Sequence, residues 1–181
     1  MNNQYNKDGK KEGLWLKIYD NGVVQEERNY VNGVREGVYK SYYMNGQVEI
    51  IKHYKNGNLH GKYETFYSDG KLSSVHNVEN GKIIGLYEEF YPNGQLKRSS
   101  EYIDDSTTSK NIKYFPNGSK KVEVNLKKGY MFGPYKEYHS NGVVFKEANY
   151  NEKGKLDGEY KEYDAEGHLV KEATFKNGIE V

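Results

Sequence analysis

Short runs rich in Tyr, Phe, Val, Leu and Ile alternate along the whole chain with small polar clusters centred on glycine. The apolar residues are those favoured on a pleated strand surface, and the clusters read as turns. No stretch sustains a helical period, and the frequent glycines would cut short any helix. The glycines also set a period. Gly22, Gly46, Gly70, Gly94, Gly118 and Gly142 recur at one constant even interval, and Gly167 follows one position late. A second series runs through Gly33, Gly57, Gly81, Gly129, Gly154 and Gly178, with Asp105 as a substitute. A third opens each unit at Gly13, Gly37, Gly61, Gly85, Gly133 and Gly158, with Ser109 as the exception. Asn precedes most turn glycines, and Asn-Gly suits the two-residue type I′ hairpin turn, which needs positive φ at both central positions.

The pattern predicts an all-β fold: a repetitive antiparallel β-meander of about 14 short strands, two per unit of about 24 residues, in an elongated single twisted sheet. Residues 1–12 form a lead-in and 13–181 a seven-unit array, degenerate at about 109–132. If Asn21-Gly22 and Asn32-Gly33 are both two-residue loops, Asp20 faces Val23, Tyr19 faces Val24 and Trp15 faces Arg28. An even period then keeps one side constant. That side collects Trp15, Tyr39, Tyr63, Tyr87, Tyr135 and Tyr160, the Tyr19 to Phe115 series and the Tyr30 to Phe175 series. It also takes the branched set Val24, Val48, Leu72, Leu96, Val144 and Leu169. The other side carries one apolar row, Ile18, Tyr42, Phe66, Phe90, Tyr114, Tyr138 and Tyr163, among mostly Lys, Glu, Ser and Asn. A single bulge would exchange residues between the sides.

Composition narrows the chemistry. With 27 Lys+Arg against 26 Asp+Glu the formal charge is +1, which gives no strong nucleic-acid signal. Without cysteine there is no disulfide, thiolate metal site or thiol nucleophile. The five histidines, His53, His60, His76, His139 and His168, occupy five different phases of the repeat, so no metal site is expected. No nucleophile elbow, P-loop or dinucleotide fingerprint occurs, and neither catalytic residues nor a cofactor are expected. Carboxylates such as Glu88, Glu89, Glu137 and Glu162 recur beside lysines and read as cross-strand pairs. The N-terminal sequence has no signal-peptide pattern and no run long enough to span a membrane, so a cytoplasmic location is expected. The fifth unit, Ile103 to Asn111, loses its glycines and reads as a disturbed loop or a kink.

The units Gly37-Val38-Tyr39-Lys40-Ser41-Tyr42-Tyr43-Met44-Asn45-Gly46-Gln47-Val48 and Gly85-Leu86-Tyr87-Glu88-Glu89-Phe90-Tyr91-Pro92-Asn93-Gly94-Gln95-Leu96 resemble the bacterial variant of the MORN repeat. The resemblance covers nearly the whole chain and extends to YwqK-like antitoxins, the immunity partners of toxins. It implies a strand-meander array that binds other proteins, or sometimes membrane lipid, with no catalytic residues.

The expected function is therefore that of a non-enzymatic protein-binding module, an antitoxin or immunity protein that sterically neutralises a toxin. Its contact column would be Trp15, Tyr39, Tyr63, Tyr87, Tyr135 and Tyr160, because aromatic surface on a single layer marks an interaction site. The alternatives are a scaffold that self-associates through edge strands, and a binder of glycan or anionic lipid through its aromatic face.

Overall fold

The computed structural model describes residues 2–104 and 107–181. The expected kink at 103–111 therefore falls partly outside the described residues, at Asp105 and Ser106. No helix occurs among the described residues, and the strands follow one another as an antiparallel meander. The chain forms two compact units, one ending at Ile84 and one beginning at Gly85.

The first unit contains β1 (Gln4–Tyr5), β2 (Lys11–Ile18), β3 (Val24–Val31), β4 (Val34–Arg35), β5 (Gly37–Tyr42), β6 (Val48–Lys55), β7 (Asn58–Phe66) and β8 (Leu72–Glu79). The second unit begins within β9 (Lys82–Phe90). It continues through β10 (Leu96–Asp104), β11 (Thr108–Tyr114), β12 (Lys120–Lys127), β13 (Tyr130–Tyr138), β14 (Val144–Tyr150), β15 (Leu156–Tyr163), β16 (Leu169–Lys176) and β17 (Ile179–Glu180). The described strands number 17 rather than about 14, because β1, β4 and β17 are extra two-residue pieces. One of these, β1, lies in the lead-in and pairs with Lys11 and Glu12.

The two Asn-Gly turns of a repeat differ in kind. At the second turn the expectation holds: Asn32 and Gly33 both take positive φ, 50° and 84°, between paired Val31 and Val34. At the first turn it does not. Gly22 alone is left-handed (φ 85°), its N–H donates to Tyr19 O at 2.9 Å, and the Tyr19 N–H donates to Val23 O at 2.8 Å. Asp20 and Tyr19 therefore do not face Val23 and Val24. The loop has three residues, and Asn21 serves through its side chain: Oδ1 accepts the Val23 N–H and Nδ2 donates to Met44 O in the next repeat. Asn45, Asn93, Asn117 and Asn141 repeat that donation to Ser68, Pro116, Ser140 and Ala165. Asn recurs there to bracket successive turns, because it can accept from its own loop and donate to the next at once.

A bulge after each first turn absorbs the extra residue. Ile18 pairs with Val24, but Lys17 pairs with Glu26. This moves the branched set to the other face. Val24, Val48, Leu72, Leu96, Val144 and Leu169 pair with Ile18, Tyr42, Phe66, Phe90, Tyr138 and Tyr163, not with the Trp15 row. The Tyr19 series brackets repeats instead. Tyr19, Tyr43 and Tyr91 donate their hydroxyls to Tyr42 O, Phe66 O and Tyr114 O at 2.7–2.9 Å.

Past the second turn the register slips by two. Tyr30 pairs with Arg35, whereas Glu27 pairs with Lys40 and Glu26 with Ser41. A slip of two leaves side-chain direction unchanged, so the aromatic rows stay on one face.

Candidate functional site

In the first unit the register lines up one row across the strands. Trp15 pairs with Arg28, Tyr39 with Lys52, Lys52 with Tyr63 and Tyr63 with His76, and the pairing of Glu26 with Ser41 brings Arg28 alongside Tyr39. In the second unit the equivalent row begins with Tyr87, Ser100, Asn111 and Val124. It ends with Tyr135, Ala148, Tyr160 and Ala173. The six sequence-predicted contact residues thus share one phase of the repeat and, within each unit, one face. Trp15, Tyr39 and Tyr63 lie in the first unit and Tyr87, Tyr135 and Tyr160 in the second. All six are half-buried.

Their burial has a local cause. Most glycines opening a repeat face an aromatic residue: Gly13 faces Tyr30, Gly37 Tyr54, Gly85 Tyr102, Gly133 Tyr150 and Gly158 Phe175, whereas Gly61 faces Val78. Rings of this second row meet the first edge-to-face. Trp15–Tyr30, Tyr39–Tyr54, Tyr135–Tyr150 and Tyr160–Phe175 have centroids 5.6–6.5 Å apart. Each such pair contributes about 0.5–1.5 kcal/mol beyond its area. Buried Tyr30, Ser41, Ser74, Val78, Ser100, Ser109, Asn111 and Ala148 belong to this same face by register. Ser100, 2% exposed, donates to Asn111 Oδ1 at 2.5 Å. A single layer thus acquires a thin core by sinking small residues among large rings, which leaves the ring surfaces half open.

The two units differ in what separates the rings. In the first, Lys52 Nζ lies 4.5 Å from the Tyr39 centroid and 5.7 Å from that of Tyr63. Lys11 Nζ lies 4.4 Å from Trp15, and Arg35 sits 5.3 Å over Tyr54 while donating to its hydroxyl at 3.2 Å. Among the described residues Lys11, Arg35 and Lys52 make no ion pair, whereas Arg28 pairs with Glu26. In the second unit Ser100, Val124, Ala148 and Ala173 occupy the phase of Arg28, Lys52 and His76. The Tyr135 hydroxyl donates to Glu137 and that of Tyr160 to Glu162.

Titration follows the same division. Burial alone would raise the Tyr30 hydroxyl, yet its hydrogen bond with Arg35 and the charges of Lys11, Arg35 and Arg28 bring it below its ordinary value. Tyr135 and Tyr160 are raised, by burial first and then by their glutamates. Tyr39 is also raised, by burial and Glu26. The His76 ring, stacked on Tyr63 at 4.9 Å and 14°, is lowered by burial.

The opposite face is a charge ladder in the second unit, Glu123, Lys136, Glu147, Lys161 and Glu172, with Lys136–Glu147 at 2.7 Å and Lys161–Glu172 at 3.3 Å. Of the carboxylates singled out in the sequence, Glu89 pairs with Lys97 and Arg98 and Glu162 with Lys146, while Glu137 accepts from Tyr135. Among the described residues no group of three or more His, Asp or Glu is placed to hold a metal ion. No helix among them is long and apolar enough to cross a membrane.

The family model for the MORN repeat variant matches residues 11–32, 35–56, 59–80, 83–104, 133–152 and 156–177. The chain belongs to this repeat family. Four of the matched stretches close on a second-turn asparagine, at Asn32, Asn56, Asn80 and Asn177. The interval 105–132 between the fourth and fifth matches contains the degenerate unit. No curated protein matches the chain. Repeats of this family are protein- and membrane-binding modules, and the family is a non-catalytic one.

The cations of the row are what sequence reading missed. With an uninterrupted register after Asn32-Gly33, Tyr39 would face Glu26. The slip of two at Glu36-Gly37 puts it beside Arg28 instead. A signal existed: Arg28 and Lys52 stand one repeat apart, and each follows its own aromatic of the contact column, Trp15 or Tyr39, at the same interval.

Proposed function

We propose that this chain is a non-enzymatic protein-binding module acting as an antitoxin or immunity protein, which covers the working surface of a cognate toxin with its aromatic face. One observation carries the reading. The contact column forms a row of half-buried rings on a single-layer sheet, with no second layer over it among the described residues of either unit. Rigid aromatic surface of this kind supplies contact area at low entropic cost and is enriched at interface hot spots. A standard interface of about 800 Å² per partner is enough to occlude an active site. The family's character as a non-catalytic binding repeat supports the same reading.

The test is affinity capture from a native-source lysate with wild type and with Tyr39→Ala/Tyr63→Ala, both checked by thermal melting. A single stoichiometric protein lost with the folded double variant supports the reading, and restored growth when that protein and this chain are co-expressed supports immunity. Equal capture by both proteins excludes the column as the contact surface.

A second reading, self-association, has its own observation. Leu169 and Val170 are adjacent exposed apolar residues of β16. A mass by light scattering that rises with concentration, and falls back with Val170→Lys, would favour it.

A further inference from the structure

The protein-binding reading names no chemistry for the partner, and the first unit supplies one. Its aromatic face is cationic in a particular way. Glu26 is neutralised by Arg28, and Glu49, which accepts from the Ser41 hydroxyl, keeps its charge but is outnumbered by cations. Lys11, Arg35 and Lys52 instead lie against rings and retain unneutralised charge. The lowered Tyr30 hydroxyl reports that positive field from inside the face.

The cations are also periodic. Arg35 follows Lys11 by one repeat, and Lys52 follows Arg28 by the same interval. One repeat is two strands, or about 9.6 Å across the sheet. A polyproline II segment rises about 3.1 Å per residue with three residues per turn, so every third side chain returns to the same side after about 9.3 Å. The two spacings agree. Its intervening prolines or aliphatic residues would then lie on the rings of Tyr39 and Tyr63, as such segments do on aromatic-lined surfaces.

Resting on the protein-binding reading, we propose that the aromatic face of the first unit receives an acidic, extended segment of the partner protein. Carboxylates three residues apart meet Lys11 and Arg35, a further carboxylate meets Lys52, and the segment's apolar residues pack on Tyr39 and Tyr63. In the second unit Ser, Val and Ala take the equivalent phase, glutamates sit on Tyr135 and Tyr160, and Arg98 and Lys146, over Tyr87 and Tyr160, are paired with Glu89 and Glu162, so the preference is weaker there.

The experiment is fluorescence anisotropy with a labelled peptide of repeated Glu-Pro-Pro triplets. Three comparisons run beside it: a peptide of equal composition with its glutamates in one block, a Lys-Pro-Pro peptide, and flotation with phosphatidylserine vesicles. The triplet peptide is expected to saturate the protein and to bind more tightly than the block peptide, and Lys-Pro-Pro is expected not to bind. Lys52→Gln and Arg35→Gln, which leave the backbone pairs intact, should each weaken binding by about fivefold. Raising NaCl from about 0.1 M to about 1 M, where the Debye length falls from about 10 to about 3 Å, should abolish it. Equal binding of triplet and block peptides, indifference to both cation variants, or vesicle binding without peptide binding would each overturn the proposal. Partner capture that needs Tyr39 and Tyr63 but neither Lys52 nor Arg35 overturns the acidic segment and leaves the protein-binding reading standing. Peptide binding that needs the cations but neither tyrosine keeps the acidic ligand and removes the aromatic contact surface.

Discussion

The asparagines show how one dipeptide serves two physical purposes. Asn56 sits at φ 51° and supplies a left-handed backbone; Asn45 lies outside that region and supplies an acceptor to Gln47 N–H and a donor to Ser68 O. Glycine can replace the first role but not the second. Asn56→Gly should leave the melting temperature nearly unchanged, whereas Asn45→Gly should cost about 1–2 kcal/mol in denaturant unfolding. Lys128 occupies the left-handed position (φ 50°) that Asn holds in most other units. Lys128→Asn should therefore stabilise the protein by up to about 1 kcal/mol, because Asn tolerates that conformation better. His76 adds a pH dependence. Burial lowers its folded-state affinity for a proton below the ordinary 6.5, so the unfolded chain binds more protons as the solution is acidified. Its contribution is complete above about pH 7 and declines as pH falls through about 6.5. Melts across that range should show the decline in wild type and less of it in His76→Phe, which keeps a ring against Tyr63.

At the scale of the strands, what holds consecutive units together is a set of brackets as much as the ladder. Tyr43 reaches Phe66 O at 2.7 Å, Asn45 reaches Ser68 O at 2.8 Å, and Glu36 accepts the Asn56 N–H at 2.7 Å. Tyr43→Phe should cost about 1 kcal/mol by equilibrium unfolding, with the sheet otherwise unchanged. The meander and its aromatic face were legible in the sequence because an even repeat period and strand alternation both depend only on parity. Trp15 opposite Arg28 and His76 opposite Tyr63 follow from that arithmetic and are observed. The branched row from Val24 to Leu169 was not legible. A type I turn closed by a single left-handed glycine and a type I′ turn can both be written Asn-Gly, and only the first brings an added residue and a bulge. The position of Tyr39 beside Arg28 was hidden by the slip at Glu36-Gly37, where glycine at φ 78° lets the strand skip two residues without turning over. Single residues set such slips, and periodicity averages over them.

For the molecule as a whole, the six matched repeats do not give a uniform surface. Aromatic residues recur at one phase except at Asn111, while the residue facing them changes from Arg, Lys and His in the first unit to Ser, Val and Ala in the second. The repeated part builds the sheet and the varied part sets what each unit presents, a division suited to a repeat family whose members share an architecture and differ in partners. On the proposed reading the ring row, rather than the charged back of the sheet, makes the contact. The most direct measurement is quantitative capture of the native partner by three folded proteins: wild type, Tyr39→Ala/Tyr63→Ala, and Lys40→Ala/Glu64→Ala on the opposite face. The account predicts that the tyrosine variant loses the partner by about tenfold or more while the opposite-face variant binds as wild type. Retention by the tyrosine variant together with loss by the opposite-face variant would contradict it.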